Sequence, residues 1–157
     1  MLNCDIRKFF ASIDHAILVA KLRRHIDDKD IVELLQHVVE SFHSTNNPEI
    51  GLLLGNLSSQ LLMIFYMDHF DQFAIRTLKV RHYIRYADDF VFLHENKPFL
   101  QKLLPEITYF LRLKLKLTLH PKKVTIHALA SGVAYLGWVH FSRHRVLRTA
   151  MKRRIVR

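Results

Sequence analysis

Two adjacent carboxylates lie in the middle of an apolar stretch, and this feature restricts local folding more than any other in the chain. Residues 83–93 read YIRYADDFVFL. The apolar and aromatic residues on both sides of Asp88 and Asp89 are typical of buried strands. The pattern therefore predicts a β-hairpin whose turn holds the two aspartates. Because acidic pairs are also ordinary turn residues, the pair alone leaves a catalytic role open.

Upstream of the hairpin, the sequence predicts one strand and three helices. Residues 1–5 form the strand, and Asp14 is a suitable N-cap for the first helix. Asp30 followed by Glu33 resembles a capping box at the start of the second helix. The third helix, residues 57–75, is apolar on all sides in its middle, so we expect it at the centre of the core. The buried face predicted for the second helix comprises Ile31, Leu34, Leu35, Val38, Val39 and Phe42.

The remaining segments predict a loop at residues 44–51, a helix over residues 97–112 and three further strands. The strands are expected at residues 116–120, 124–129 and 133–141. Strand, helices, hairpin, helix and strands in this order predict an α+β fold. In such a fold, the helices cover one face of the sheet.

Length and composition favour one domain with a substantial core, because half of the 157 residues are hydrophobic. The longest apolar run, residues 61–67, is far shorter than a membrane span of roughly 18 residues. Asp5 interrupts the N-terminal segment where a secretion signal needs an apolar core, so we expect a cytoplasmic protein without a membrane partner. Cys4 is the only cysteine, which excludes an internal disulfide and a cysteine-based zinc site.

Positive charge is concentrated in the second half of the chain. Residues 1–80 hold 8 Lys and Arg against 10 Asp and Glu, whereas residues 81–157 hold 16 against 4. The two halves therefore carry −2 and +12. Such a cationic half favours a polyanionic partner, with nucleic acid first, although a solvated basic surface gives the same composition.

Asp5 gives the acidic pair a possible partner at the end of the predicted first strand. Phosphoryl transfer with two metal ions needs carboxylates from different strands around a pair of ions about 3.5–4 Å apart. Asp5 and Asp88 are 83 residues apart, so they meet only if their strands are neighbours in one sheet. Alone, Asp5 is equally explained as a helix or turn cap.

Five ordered motifs resemble the palm of reverse transcriptases: CDIRKFF, GLLLGNLSSQ, YADD, LTLHPKK and AYLGW. The resemblance spans residues 1–141 and implies a right-hand polymerase palm with a ferredoxin-like core. It implies that Asp5, Asp88 and Asp89 form the catalytic triad. Together with Ile6, these residues would bind two Mg²⁺ ions, for which Mn²⁺ could substitute. Asp5 and Asp88 would do most of the metal binding, with Asp89 in support.

The same resemblance implies a nucleotide site. Its residues would be Arg7, Lys8, Phe9, Phe10, Leu54, Gly55, Asn56, Ser59 and Gln60. Phe10 would lie under the sugar and disfavour ribonucleotides, while the other phenylalanine of the pair belongs to the core. Ala11 follows the aromatic pair, where many relatives have an acid.

Two positions of the second motif resemble the reverse transcriptases of diversity-generating retroelements. Group II intron enzymes usually have glutamine and proline where this chain has Leu54 and Gln60. In the retroelement family, the aliphatic residue accompanies mutagenic copying of template adenines, so the resemblance implies low fidelity. A group II intron-like or defence-associated reverse transcriptase is the alternative.

The last two motifs imply contacts to the triphosphate and the primer. Lys123, or alternatively Lys122, would lie near the triphosphate and count among the catalytic residues; strand-edge charges in solvent are the plainer interpretation. The primer site would comprise Tyr86, Tyr135, Leu136, Gly137 and Trp138.

The implied partners are an RNA template, a DNA or RNA primer, dNTPs and an accessory protein. The family also has a fingers region upstream and a thumb downstream, so residues 142–157 are expected to be a basic tail that begins a missing thumb. We therefore expect little activity from this chain alone. A basic remnant that only binds nucleic acid is the competing hypothesis.

Overall fold

The computed structural model describes residues 1–42, 47–135, 137–141, 143–149 and 153. Residues 44–46 of the predicted loop and half of the predicted tail, residues 142, 150–152 and 154–157, lie outside them. Within the described residues, the strands are β1 (Leu2–Asp5), β2 (His82–Tyr86), β3 (Asp89–Leu93), β4 (Thr125–Ile126), β5 (Val133–Tyr135), β6 (Trp138–His140) and β7 (Arg145–Leu147). The helices are α1 (His15–His25), α2 (Lys29–Glu40), α3 (Leu57–Gln72) and α4 (Lys97–Leu115).

The strands form two antiparallel sheets. The larger one has the order β2-β3-β1-β4, and the smaller one has the order β5-β6-β7. The first strand of the chain is therefore central, paired with β3 on one side and β4 on the other. The predicted hairpin is confirmed as β2 and β3, which pair along their whole lengths. Its turn holds only Asp88 of the two predicted aspartates, because Asp89 is the first residue of β3 and pairs with Tyr86.

One face of the larger sheet packs against the helices. Leu2 and Cys4 of β1 and Phe90 and Phe92 of β3 are fully buried on this face. Phe70 of α3 contacts Phe90 with ring centroids 4.9 Å apart. Because side chains alternate along a strand, Asp5 and Asp89 lie on the opposite face. The α+β prediction is thus confirmed as a mixed structure of helices and antiparallel sheet.

A small second cluster covers part of that opposite face. Met1, just before β1, and Val91 of β3 are buried against Val133, and Leu93 and Tyr135 pack at the edge of the cluster. The smaller sheet therefore lies over the sheet face that carries the two aspartates, next to them.

Aspartate side chains cap the first two helices. Asp14 caps α1 as predicted, because its carboxylate accepts a hydrogen bond from the N–H of Ile17. For α2 the predicted cap is wrong: Asp28, and not Asp30, accepts hydrogen bonds from the first turn. Both are aspartates two residues apart, and the sequence offers no clear choice between them.

Three further predictions need correction. Val39 of α2 is buried as predicted, but Ile31 and Leu34 are exposed and Val32 is buried instead, so the N-terminal part of the apolar face differs from the predicted one. The third helix continues to Thr77 through a π turn but is not buried all round, since Leu57, Leu61 and Ile64 are exposed. Residues 116–120 form only a single bridge, between Leu119 and Ile6, instead of a strand.

Lys21 of α1 is a buried cation whose removal should stabilise the fold. Its amine donates to the carbonyl of Tyr66 at 2.7 Å, and burial lowers its pKa to about 8. Charging this amine therefore costs the folded state up to about 3 kcal/mol. We expect Lys21→Met to raise the free energy of unfolding by about 1–3 kcal/mol below pH 8 in urea titrations.

The advantage of Lys21→Met should shrink as pH rises from about 8 to the unfolded value near 10.5, because the folded wild-type amine then loses its proton first. Lys29→Met, at an exposed position, is the control. If the difference in unfolding free energy between Lys21→Met and Lys29→Met did not change with pH, the buried charge of Lys21 would not be the cause.

None of the helices in the described ranges is both long and apolar enough to cross a membrane.

Candidate active site

The register of β1 with β3 brings the three predicted acids together. Asp5 and Asp89 are Cα partners across the two strands. Asp88 precedes β3 in the turn, and its carbonyl accepts a hydrogen bond from the N–H of Ile6 at 3.1 Å. Residues far apart in the chain thus meet at one end of the sheet, as the sequence prediction required.

The turn that holds Asp88 has a strained backbone. Ala87 has a φ of 53°, in the left-handed region that residues with a Cβ rarely adopt. Its carbonyl accepts a hydrogen bond from Nη1 of Arg85 at 3.1 Å. This guanidinium therefore helps to fix the turn.

Arg85 is in turn anchored to α3 by Asp71. Its Nε and Nη2 donate to the two carboxylate oxygens of Asp71 at 2.7 and 2.5 Å. The hydroxyl of Tyr83 donates to the same carboxylate at 2.6 Å. Sequence reasoning missed this support of the hairpin, because nothing in the local pattern pairs an acid of a helix with a strand arginine 14 residues later.

Burial and mutual repulsion perturb the acids. Burial, hydrogen bonding with Asp5 and the charges of Asp5 and Asp88 raise the pKa of Asp89 to about 6. Burial, followed by the charge of Asp5, also raises the pKa of Asp88. The site therefore concentrates negative charge that favours a cation.

Lys123 supplies such a cation. Its Nζ lies 2.6 Å from Oδ2 of Asp5, and the N–H of His120 donates to the carbonyl of Asp5 at 2.7 Å. The structure thus places Lys123, and not Lys122, in hydrogen-bond contact with Asp5.

The residues fit a hard divalent ion by their chemistry. Carboxylate and main-chain oxygens are the ligands that Mg²⁺ prefers, and Asp5, Asp88, Asp89 and the main chain of Ile6 offer them. In the part of the chain that the structure describes, no three His, Cys, Asp or Glu side chains are already arranged around a common metal position. Asp5 is instead paired with Lys123.

The segment after Asp5 divides between core and surface. Phe9 is buried in the core, while Phe10 is partly exposed against it, with ring centroids 5.4 Å apart. Arg7 and Lys8 are exposed. One phenylalanine of the pair is therefore a core residue, as expected, and Phe10 is the one that remains accessible.

The loop before α3 lies against the same segment. The N–H of Leu52 donates to the carbonyl of Phe10 at 2.8 Å. Beyond it, Leu54 is 74% exposed, Gly55 has a φ of 100°, and Asn56 precedes the helix without a side-chain cap.

Gln60 and Ser59 differ sharply in accessibility. Gln60 is exposed, but Ser59 is fully buried, and its hydroxyl has no hydrogen-bond partner within the described ranges. The hydroxyl of Ser59 is therefore enclosed by the protein, and its contact with a nucleotide stays a prediction.

The predicted primer residues are spread over two sheets. Tyr86 is 62% exposed at the end of β2, and Gly137 lies in the turn between Tyr135 and Trp138, which pair across β5 and β6. The hydroxyl of Tyr135 is buried without a partner in the described part, and burial, followed by the charge of Asp89, raises its pKa. Leu136 lies outside the described residues.

Trp138 has a cationic neighbour that the sequence analysis did not identify. The guanidinium of Arg145, on β7, lies 4.8 Å from the centroid of the Trp138 ring. The strand β7 itself was not predicted, because its three residues are an arginine followed by Val146 and Leu147, which is too short for a strand pattern.

A mixed fold that gathers acids from two neighbouring strands at a hairpin tip is typical of enzymes that transfer phosphoryl or nucleotidyl groups. The sequence profile of the reverse transcriptase (RNA-dependent DNA polymerase) family matches residues 1–140. The chain therefore belongs to this family. None of the curated proteins compared with it matches. Family membership implies binding of a nucleic-acid template and primer, and the family generally uses divalent metal ions.

Proposed function

We propose that this chain is the palm of an RNA-directed DNA polymerase that adds dNTPs to a DNA or RNA primer on an RNA template. The observation that carries the proposal is the pairing of β1 with β3, which leaves Asp5 beside Asp89 and next to Asp88. Acids from separate parts of the chain suit a site for two Mg²⁺ ions, with Mn²⁺ as a substitute.

The proposed roles follow from position and chemistry. When bound, the metal ions would neutralise phosphate charge and activate the attacking hydroxyl. Asp5, Asp88 and the main chain of Ile6 would hold them, with Asp89 in support. Lys123 would contact the triphosphate from its position beside Asp5.

Sugar and base selection would depend on two surface segments. The accessible Phe10 would lie under the sugar, where a 2′-hydroxyl would clash with its ring. Arg7 and Lys8 would contact phosphates, while Leu54, Gly55, Asn56 and Gln60 would border the new base pair. The exposed ring of Tyr86 and the partly buried ring of Trp138 would lie along the primer.

We further propose that the enzyme belongs to a diversity-generating retroelement and copies with low fidelity. Leu54 is aliphatic and largely exposed, so it offers no hydrogen bond to the nascent base pair. A pocket without such a bond discriminates less well between correct and incorrect nucleotides. Leu54 and Gln60 also argue against the group II intron type.

Replacing Leu54 by glutamine should reduce misincorporation. One added hydrogen bond of about 1 kcal/mol corresponds to about a fivefold lower error frequency, and we expect the largest change opposite template adenines. Sequencing of the cDNA measures it. Leu53→Gln is the matched control, since Leu53 is an exposed neighbour in the same loop. Equal error spectra for Leu54→Gln and the parent would contradict the proposal.

The proposed setting is cytoplasmic, with a structured template RNA and an accessory protein as partners. The +12 charge of the second half supports a nucleic-acid partner. Residues 1–141 would form the palm, and residues 142–157 would form a basic segment that belongs to the thumb region.

A second candidate function is nucleic-acid binding without catalysis, which the strongly basic second half also favours. Primer extension on an RNA template with Mg²⁺ and dNTPs separates the two. Two proteins are assayed: the chain alone, and the chain fused to the fingers and thumb of another family member. The fingers and thumb serve to hold the duplex. Extension by the fusion supports the polymerase; RNA binding without extension supports the second candidate.

A further inference from the structure

The carboxylate expected to bind metal is already neutralised by a lysine of the same chain. Nζ of Lys123 lies 2.6 Å from Oδ2 of Asp5, whose side chain is only 9% exposed. The lysine side chain is 57% exposed. The buried partner is therefore fixed, while the lysine has solvent on one side into which it can move.

Backbone hydrogen bonds hold the lysine segment beside the end of β1. The N–H of Arg7 donates to the carbonyl of Thr118 at 2.9 Å, and the N–H of His120 donates to that of Asp5 at 2.7 Å. The N–H of Lys123 donates to the carbonyl of His120 at 3.1 Å. This local geometry positions Lys123, and not the adjacent Lys122, at Asp5.

An ammonium group and a divalent ion compete for the same oxygen. Mg²⁺ binds oxygen at about 2.0–2.1 Å, which would bring it within repulsive distance of an amine hydrogen-bonded to that oxygen. Two positive charges on one carboxylate oxygen also repel each other strongly in a partly buried site.

We propose that Lys123 is an internal counter-ion that occupies Asp5 until a divalent cation binds, and that the cation releases its amine toward the phosphates of the incoming nucleotide. This inference rests on the proposed function, because it takes Asp5 to be a metal ligand. Binding of the metal ion and movement of the Lys123 amine toward the phosphates are thereby coupled.

Direct measurement of Mn²⁺ binding by electron paramagnetic resonance tests the competition without an activity assay. If the ion pair is formed about four-fifths of the time, Lys123→Met should bind Mn²⁺ about fivefold more tightly than the wild type. Lys123→Arg, which keeps the charge, and Lys122→Met, which removes a neighbouring charge, should stay near the wild-type affinity. Circular dichroism checks that each variant is folded.

A second readout uses the unchanged protein. An amine held against Asp5 should react slowly with an acetylating reagent, and released amine should react faster. Mass spectrometry should therefore find faster acetylation of Lys123, and an unchanged rate at Lys122, when Mn²⁺ is added.

The outcomes separate this inference from the function on which it rests. Equal Mn²⁺ affinity of the wild type and Lys123→Met, with binding still lost in Asp88→Asn, would overturn the counter-ion role and leave the metal site in place. If no variant binds Mn²⁺ at a site that depends on Asp88, the metal site and the counter-ion role both fail.

Discussion

Asp88→Asn should abolish primer extension on RNA by the chain fused to fingers and thumb regions. The isosteric change removes one negative charge from the turn that faces Asp5, and with it several kcal/mol of charge stabilisation. That loss corresponds to an incorporation rate reduced by at least about a thousandfold. Single-nucleotide incorporation under saturating dNTP and Mg²⁺ measures the rate.

Asp27→Asn provides the matched control, because it makes the same chemical change at an exposed position. It should extend primers like the parent. Asp89→Asn should lose less activity than Asp88→Asn, in line with its supporting role. Full activity of Asp88→Asn would remove this residue from the catalytic set.

Asp71→Ala should have the largest effect on stability among the predictions made for this chain. Arg85 is buried against Asp71, and removal of the carboxylate leaves its guanidinium charged and unpaired. We expect the free energy of unfolding to fall by about 3 kcal/mol. Because Arg85 also bonds the carbonyl of Ala87, the turn at Asp88 should loosen as well. Urea unfolding measures the stability change.

Two further variants make this prediction specific. Asp68→Ala removes a partly exposed acid from the same helix, whose contact is a hydrogen bond from Gln72 at 3.3 Å, and should cost less than about 1 kcal/mol. Asp71→Ala combined with Arg85→Met should recover most of the loss, since no buried charge remains. A double variant as unstable as Asp71→Ala would show that the unpaired charge is not the cause.

Local patterns predicted the parts of the fold that local physics determines. The hairpin around Asp88 follows from apolar flanks and an acidic turn, and the cap at Asp14 follows from one carboxylate before a helix. The sequence could not predict that Asp5 lies beside Asp89. It showed only that the acids meet if their strands are neighbours, and the register of β1 with β3 fulfils this condition.

Long-range packing explains what the sequence could not predict. Residues 116–120 alternate like a strand, but only Leu119 forms a bridge, to Ile6 just beyond β1. The hydrogen bonds on either side of it join Thr118 to Arg7 and His120 to Asp5, so this segment follows only the C-terminal end of β1. The pair of Asp71 with Arg85 and the pair of Asp5 with Lys123 depend on tertiary contact alone. The full burial of Ser59, a polar residue of the second motif, also depends on tertiary packing.

The central claim is that Asp5, Asp88 and Asp89 form a metal-dependent polymerase site. Its most direct test is incorporation of one dNTP onto a primer paired with RNA by the fused parent, with Mg²⁺ and with EDTA. We predict incorporation that requires both the ion and the complementary template base. Binding of the primer and template without incorporation, under either condition, would contradict the claim.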